Sequence, residues 1–209
     1  RVDFGVGAGW LKEEFDALQV PFERRGARTS DYIRVMQALW TMDNPSYEGE
    51  FYTLPECTQN PKPVQAPHPP IFFGGESKAA LRRVARLGQG WMGASLMPKD
   101  LPTKLAELDQ ALADEDRTRS DIKVYTLPNR APKAELFPQY EDLGVEQVIH
   151  LVPMKNIDDA RQRLLKECRV AEARHHHRDV LRLALEFVRP RRVARSFRQR
   201  TERLGGHGD

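Results

Sequence analysis

Residues 1–10 read RVDFGVGAGW, and residues 69–77 read PPIFFGGES. In each stretch a short apolar run ends at glycines and is followed by a segment with the apolar spacing of a helix. This order is typical of α/β enzymes, because glycine lets backbone N–H groups approach an anion at a helix N-terminus. A strand that begins at the first residue also predicts that the sequence is part of a larger fold.

The composition predicts a cytoplasmic protein with no membrane partner. The 209 residues carry a net charge of +3, and arginine is concentrated after residue 168. A chain of this length can bury a sizeable core. Cys57 and Cys168 are too few for a disulfide framework, which favours a reducing compartment. No apolar run reaches the roughly 20 residues that a membrane-spanning helix needs, and no signal peptide is evident.

Strand and helix patterns alternate along the chain, which predicts parallel strands covered by helices. An insertion from about residue 42 to residue 70 interrupts the order, with an extended piece at Glu50–Leu54 and a proline-rich end. Ser30 is expected to cap its helix. The predicted strands are Val2–Val6, Ile71–Phe73, Trp91–Leu96, Ile122–Leu127 and Val145–Val152; the predicted helices are Leu11–Leu18, Ser30–Trp40, Lys78–Leu87, Leu101–Ala113, Ala134–Asp142 and Ile157–Cys168.

Residues 169–209 depart from this pattern and are predicted to form an Arg- and His-rich extension beside an α/β domain of residues 1–168. A helix is predicted between Val180 and Val188, and the remainder is predicted to be disordered. The extension is either a nucleic-acid arm or a non-native extension, and the second interpretation is favoured. The three histidines at 175–177 are adjacent and do not close a tetrahedral site, so no metal is predicted.

The first glycine bend, GVGAGW, does not match a dinucleotide fingerprint, since the G-x-G-x-x-G spacing requires a glycine where Trp10 stands. One alternative is a flat platform, on which Gly7 and Gly9 leave room for a planar ring with Trp10 beside it. The other is an ordinary tight turn whose tryptophan packs in the core. The residues alone leave both open.

The second glycine bend, GGES, follows a strand at Gly74 and Gly75. Ser77 then begins a helix whose free N–H groups and partial positive charge suit a phosphate. Ser77 is also a natural cap for that helix, so the residues alone leave a phosphate site and a plain loop open. The nearby positive charges are Lys78, Arg82 and Arg83.

Other chemistry-bearing residues are weaker candidates, and no catalytic residue is assigned. Glu13 and Glu14 lie in the first turn of a helix, where a carboxylate is favourable in any case. Glu14 is kept as a candidate for proton transfer. His68 and His150 are interpreted as structural, and Cys57 has no histidine nearby in sequence to activate it.

Taken together, these segments resemble the luciferase-like monooxygenase family, and in particular its deazaflavin-dependent oxidoreductase branch. The resemblance covers roughly residues 1–168. It implies an α/β fold that is a partial TIM (β/α)8 barrel, with about five of eight parallel strands present and the first three absent. The matching phrases are GVGAGWLKEEFDALQVPFERRGARTSDYI, ALW followed by YEGEFYTL, and PKPVQAPHPPIFFGGESKAALRRVARLGQGW.

The resemblance also implies an oxidoreductase that transfers a hydride between a flavin-type cofactor and a small organic substrate, with coenzyme F420 favoured over FMN. Trp10 stands where the sugar-phosphate-oxidising relatives carry a glutamate, so their substrate is not transferred to this chain. By the same resemblance, the cofactor ring would be bordered by Gly7, Gly9 and Trp10, and its phosphate held by Gly74, Gly75 and Ser77.

Two other functions stay open at this point. One is an FMN-dependent monooxygenase that activates oxygen. The other is an inactive, truncated barrel whose basic tail binds nucleic acid or is non-native, since five of eight strands leave open edges that pair with other chains. Substrate and oligomeric state are not determined, a homodimer being one option.

Overall fold

The computed structural model of the protein describes residues 2–130 and 132–151, the single residues 159 and 162, and residues 181–184. The chain divides into two compact units, residues 1–149 and residues 150–209. The first unit contains nearly all of the described helices and strands. Within the described part of the chain, no helix combines the length and apolar composition needed to cross a bilayer.

Strands and helices alternate as predicted, with a small hairpin in the insertion. Two single 3₁₀ turns, Arg119–Asp121 and Ala134–Leu136, complete the described elements of this part. In chain order the elements are β1 (Phe4–Val6), α1 (Lys12–Ala17), α2 (Arg25–Thr41), β2 (Tyr47–Glu48), β3 (Thr53–Leu54), β4 (Ile71–Gly74), α3 (Lys78–Leu87), β5 (Gly90–Ala94), α4 (Leu101–Ala113), β6 (Lys123–Leu127), α5 (Phe137–Asp142) and β7 (Gln147–Leu151).

The sheet places β1, β4, β5, β6 and β7 side by side in chain order, and each neighbouring pair is parallel. The sheet is strongly curved. Tyr125 of β6 donates a hydrogen bond from Oη to Oδ2 of Asp3, directly before β1, at 3.2 Å, although two strands lie between them. The Tyr125 ring also stacks on Phe72 of β4 at 4.3 Å. Such curvature is what closure into a barrel requires.

The core lies between the sheet and the helices α3 and α4. Leu81 and Val84 of α3 and Leu108 of α4 are fully buried, as are Ile71 and Trp91 of the sheet. Each buried aliphatic side chain contributes about 1.5–3 kcal/mol relative to exposure. The apolar spacing of Lys78–Leu87 predicts that Ala79 faces inward, but Ala79 is exposed and Ala80 occupies the buried position.

Helix α2 begins at Arg25, five residues before the predicted start at Ser30. Ser30 is therefore inside the helix, and its Oγ donates to the carbonyl oxygen of Gly26 at 3.1 Å instead of capping an N-terminus. The N-cap residue, Arg24, has a left-handed backbone and no side-chain cap. Arg28 ties the first turns of the helix to the preceding loop, since its guanidinium donates to the carbonyl oxygen of Pro21 at 2.8 Å.

The insertion forms the antiparallel hairpin β2–β3, with Tyr47 opposite Leu54 and Glu48 opposite Thr53. The extended piece predicted at Glu50–Leu54 is correct at Thr53–Leu54, whereas residues 49–52 connect the two strands. The reason is that Gly49 lets the chain reverse close to α2, where a Cβ atom would overlap the carboxylate of Asp31.

In the second unit, Leu181–Ala184 is a strand, where a helix was predicted. The sequence LRLA alternates apolar and polar residues, which is the period of a strand. Asp159 and Gln162 are helical, in agreement with the helix predicted over residues 157–168. The rest of that helix, the domain boundary predicted after residue 168, and the histidines at 175–177 lie outside the described residues.

Candidate functional site

The two glycine bends leave neighbouring strands at the same edge of the sheet. Strands β1 and β4 are adjacent and parallel, with Val6 opposite Phe73, so their carboxyl ends lie together. A Cβ atom at Gly74 would lie 3.8 Å from the carbonyl oxygen of Val6, which shows that the bends begin side by side. The carboxyl ends of barrel strands are where TIM-barrel enzymes place their ligands.

The glycines of the first bend have different roles. A Cβ atom at Gly7 would meet no atom within 4 Å, so the backbone there is open to an approaching group. Gly9 has a φ of +78°, and a Cβ atom would lie 2.7 Å from Cε2 of Phe15, so the turn itself requires glycine. Trp10 is 80% exposed, which excludes the core position considered for it.

A cleft of about 340 Å³ lies between the first bend, α1 and the first turns of α2. Its lining includes Gly7, Gly9 and Glu14. Arg25 fixes the bend, because its Nε donates to the carbonyl oxygen of Gly9 at 2.9 Å. The Arg25 guanidinium also lies over the ring of Phe22 at 3.9 Å. The predicted helix began at Ser30, too late to include three of the lining residues from α2, Arg25, Arg28 and Thr29. Tyr32, the fourth, lies within the predicted helix but was not assigned to a site.

The second bend presents the N-terminus of α3. Ser77 Oγ accepts a hydrogen bond from the backbone N–H of Ala80 at 3.2 Å, so the predicted cap is formed. The backbone N–H groups of Lys78 and Ala79 precede that of Ala80 in the first turn of α3. Because the first N–H groups of a helix have no acceptor within the helix, these two are available to an external acceptor. Gly75 has a φ of +107°, which other residues rarely adopt. The bend therefore combines a backbone that requires glycine with donors suited to an anion.

Three contacts hold the second bend in place, and none was predicted from the sequence. The indole Nε1 of Trp91 donates to the carbonyl oxygen of Gly75 at 3.0 Å. The backbone N–H of Ala94, at the end of β5, donates to Oε1 of Glu76 at 2.6 Å. Lys104 Nζ donates to the carbonyl oxygen of Glu76 at 3.3 Å. The bend is thus tied to the neighbouring strand and to α4.

The cleft does not unite all the predicted site residues. Its lining does not include four of them, Trp10, Gly74, Gly75 and Ser77. Gly74 nevertheless adjoins the end of β1. Glu13 does not line the cleft either. Of the charges expected beside the second bend, Arg82 and Arg83 line a different groove between α2 and α3.

The remaining candidates have structural surroundings. His68 is 9% exposed; its Nδ1 donates to the carbonyl oxygen of Pro69 at 2.8 Å, and its ring lies 5.8 Å from that of Trp40. Cys57 directs its thiol to the carbonyl oxygen of Pro45 at 3.7 Å. His150 lies in β7, and its side chain is outside the described residues. Among the residues that the structure describes, no three histidine, cysteine or acidic side chains gather into a metal site.

Comparison with known proteins identifies relatives of this chain. The family model described as luciferase-like monooxygenase matches residues 1–132. An uncharacterised protein of Mycobacterium tuberculosis is 34% identical over 149 residues, which are 71% of this chain and 50% of that protein. The FMNH2-dependent dimethylsulfone monooxygenase of Pseudomonas putida is 41% identical over 90 residues, 42% of this chain and 25% of that enzyme.

Solved structures share the fold at low sequence identity. The monooxygenase RslO1 from Streptomyces bottropensis superposes with a TM-score of 0.54 and 20% identity, covering 83% of this chain and 51% of that chain. The coenzyme F420-dependent tetrahydromethanopterin reductase from Methanopyrus kandleri gives 0.52 and 16%, covering 61% and 42%.

The chain spans about half the length, or less, of the relatives that it matches. The parallel sheet in chain order and the shared fold confirm the predicted α/β architecture of (β/α)8-barrel type. The family model covers well over half of the 209 residues. The chain belongs to the luciferase-like monooxygenase family.

Proposed function

We propose that the protein is an oxidoreductase that transfers a hydride between coenzyme F420 and a small organic molecule, with the cofactor at the carboxyl ends of β1 and β4. The observation that carries this proposal is the side-by-side origin of the two glycine bends. One bend has an open backbone at Gly7, and the other presents the N-terminus of α3. A planar redox ring with an anionic side chain needs both features next to each other.

The first bend suits the ring. The space over Gly7 is unobstructed to 4 Å, so a flat molecule can lie against the backbone there. Trp10 follows on the same bend with 80% of its surface exposed, and an exposed indole offers an apolar edge to a ring. Arg25 holds the carbonyl of Gly9 and keeps the bend in this shape before the ligand arrives.

The second bend suits the phosphate. Gly74 and Gly75 carry no side chain between the backbone and the ligand, and the free N–H groups at Lys78 and Ala79 point from a helix end with partial positive charge. Ser77 caps the helix through Oγ as an acceptor, which leaves its hydroxyl hydrogen available for a phosphate oxygen. The anchors at Gly75 and Glu76 keep these donors pre-organised.

When bound, the cofactor supplies the hydride chemistry, and the protein supplies position and electrostatics. Glu14 lines the cleft beside Gly7 and is the proposed proton donor or acceptor for the substrate. The cleft of about 340 Å³ lies within the range of small-molecule sites, so we place the organic substrate there.

A second candidate is an FMN-dependent monooxygenase. It is favoured by the relative of highest identity reported above, the dimethylsulfone monooxygenase named for FMNH2, which is 41% identical over 90 residues. The open backbone at Gly7 and the helix N-terminus at Ser77 suit the ring and phosphate of FMN as well as those of coenzyme F420. The two candidates therefore differ in which cofactor binds more tightly.

Separate fluorescence titrations of the chain with coenzyme F420 and with FMN test the proposal. We expect saturable binding of both, tighter for F420. The variant Gly7→Leu places a side chain in the open space and should weaken binding at least about tenfold while leaving thermal stability unchanged. Ser77→Ala should weaken binding of the phosphorylated cofactors, whereas Ser120→Ala, an exposed serine in a 3₁₀ turn, should not.

Tighter binding of FMN would reverse the choice of cofactor and support the monooxygenase. Absence of binding by either cofactor, or binding that Gly7→Leu and Ser77→Ala leave unchanged, would refute the site.

A further inference from the structure

A second groove, of about 500 Å³, lies between α2, α3 and the β2–β3 hairpin. It shares no lining residue with the cleft at the glycine bends. Its volume falls within the range of small-molecule sites, about 300–1,000 Å³. Its charge is unusual because arginines line both helical walls: Arg34 belongs to α2, and Arg82, Arg83 and Arg86 belong to α3.

Arg83 is fixed in this groove by contacts across the two helices. Its Nε donates to the carbonyl oxygen of Gly26 and to Oγ of Ser30, both at 3.2 Å. Gly26 is needed for this arrangement, because a Cβ atom there would overlap the terminal nitrogen of Arg83. Burial lowers the pKa of Arg83. In the described part of the chain, no carboxylate lies within ion-pair distance of its guanidinium.

The two acidic side chains that line the groove, Asp31 and Glu50, already accept hydrogen bonds from other groups of the protein. Asp31 is 4% exposed and accepts hydrogen bonds from Tyr47 Oη at 2.5 Å and from the backbone N–H of Phe51 at 2.8 Å. Glu50 accepts from Arg24 at 2.8 Å. These carboxylates therefore do not compete strongly for the arginines of α3.

The positive charge of α3 is not cancelled within the groove. Arg86 pairs with Glu115, which lies outside the groove lining, at 2.6 Å. Arg82 is exposed and makes no ion pair with any described carboxylate. A half-buried guanidinium held by neutral partners, next to a second arginine of the same helix, is an arrangement that an external anion would stabilise.

We propose that this groove binds a small molecule carrying at least two anionic groups, phosphates or carboxylates. A planar guanidinium presents paired N–H donors that match the two oxygens of either group. Arg82 and Arg83 would contact one anionic group. Arg34 on the opposite wall, which also interacts with Asp31 and Tyr47, would contact the second. The exposed alanines Ala27 and Ala79 leave the space between the walls free. The site is independent of the cofactor site.

Isothermal titration of the chain with pyrophosphate and with citrate, at fixed ionic strength, tests this inference. The probe that binds with the higher affinity identifies the anionic group, phosphate or carboxylate, that the groove prefers. Arg82→Gln should weaken binding about tenfold, in line with the loss of a charge-assisted hydrogen bond. Ala27→Phe fills the groove without changing charge and should abolish binding.

Two control variants show whether the anion binds in the groove. Lys123→Gln removes one positive charge from β6 outside the groove and should leave affinity unchanged. Ser77→Ala reports on the N-terminus of α3, the phosphate bend of the proposed cofactor site, so loss of all pyrophosphate binding in this variant would assign the anion to that bend. Circular dichroism establishes that each variant is folded.

Four results would overturn the inference. The first is that neither probe binds at millimolar concentration, and the second is that Lys123→Gln and Arg82→Gln weaken anion affinity equally. The third is undiminished anion binding to a folded Ala27→Phe variant, and the fourth is loss of anion binding in Ser77→Ala. Displacement of pyrophosphate by a single-stranded oligonucleotide with much higher affinity would instead identify the groove as a nucleic-acid surface.

Discussion

Replacing Asp31 with alanine should release the β2–β3 hairpin from α2. The buried carboxylate accepts hydrogen bonds from Tyr47 Oη at 2.5 Å and from the backbone N–H groups of Phe51 at 2.8 Å and Tyr52 at 3.0 Å. The hairpin strands are two residues each, too short to be stable alone. Asp31→Ala therefore removes the acceptor on which the turn is organised.

The expected loss follows from these contacts. Hydrogen bonds to a charged group contribute about 1.5–3 kcal/mol each when they are buried. Tyr52 is 46% exposed, so its N–H group regains water when the hairpin moves, and part of the loss is recovered. We expect Asp31→Ala to lower the free energy of unfolding by about 3 kcal/mol, and Tyr47→Phe, which removes one donor, by about 1.5 kcal/mol.

Urea unfolding followed by circular dichroism measures these changes, and limited proteolysis tests whether cleavage moves to residues 47–54. Asp16→Ala is the matched control, because its ion pair with Lys12 is exposed and such pairs contribute little. A free energy of unfolding for Asp31→Ala equal to that of the control, with no new cleavage in the hairpin, would refute the reasoning.

The same carboxylate predicts a pH dependence. Burial raises the pKa of Asp31, but the hydrogen bonds from Tyr47 and from the N–H groups of Phe51 and Tyr52 outweigh it, so the net pKa is lowered. The stabilisation is therefore present above the pKa of the unfolded chain, about 3.9, and is lost as the pH falls through the lower pKa of the folded state. Asp31→Ala should flatten this acid limb of the stability profile.

Three further predictions concern other parts of the fold. Gly9→Ala should lower the free energy of unfolding by about 1–2 kcal/mol, measured by thermal denaturation, because φ is +78° and Phe15 obstructs a Cβ atom; Gly7→Ala is its control and should change little. Trp91→Phe should cost about 2–3 kcal/mol and weaken phosphate binding, since the hydrogen bond to Gly75 is lost and the smaller ring leaves a cavity in the core. Burial raises the pKa of Tyr140 to about 12, above its value of about 10 in the unfolded chain. The free energy of unfolding should therefore fall as the pH rises from about 10 to 12. Tyr140→Phe should remove that loss, as measured by urea unfolding at alkaline pH.

The elements of the sheet were predictable from the sequence because their apolar runs are bounded by turn residues. Helix α3 was predicted at Lys78–Leu87 and has those bounds, since Ser77 caps it and its apolar spacing is regular. The start of α2 was not predictable in this way. Arg24 has no capping side chain, and the first turns depend on contacts with residues distant in the sequence.

In the candidate site, too, features set by local sequence were predictable, whereas features that depend on distant contacts were not. Gly7, Gly9 and the Ser77 cap could be identified from local patterns. Sequence alone could not show that Gly9 serves the turn while Gly7 remains open, because the difference depends on where the Phe15 ring packs. The buried carboxylate of Asp31 was also missed, since nothing in its helical surroundings marks it as the acceptor for residues 47–52.

Trp91 links the stability of the core to the shape of the proposed phosphate bend. Its side chain is fully buried between the sheet and the helices, yet its Nε1 reaches the carbonyl oxygen of Gly75. A buried indole N–H left without an acceptor is unfavourable, so the core is more stable when Gly75 keeps its position. Gly75 accepts this hydrogen bond while its φ is +107°, so packing of the core helps to maintain this uncommon backbone conformation at the edge of the sheet. A ligand that binds the free N–H groups of α3 should therefore also raise the thermal stability of the first unit.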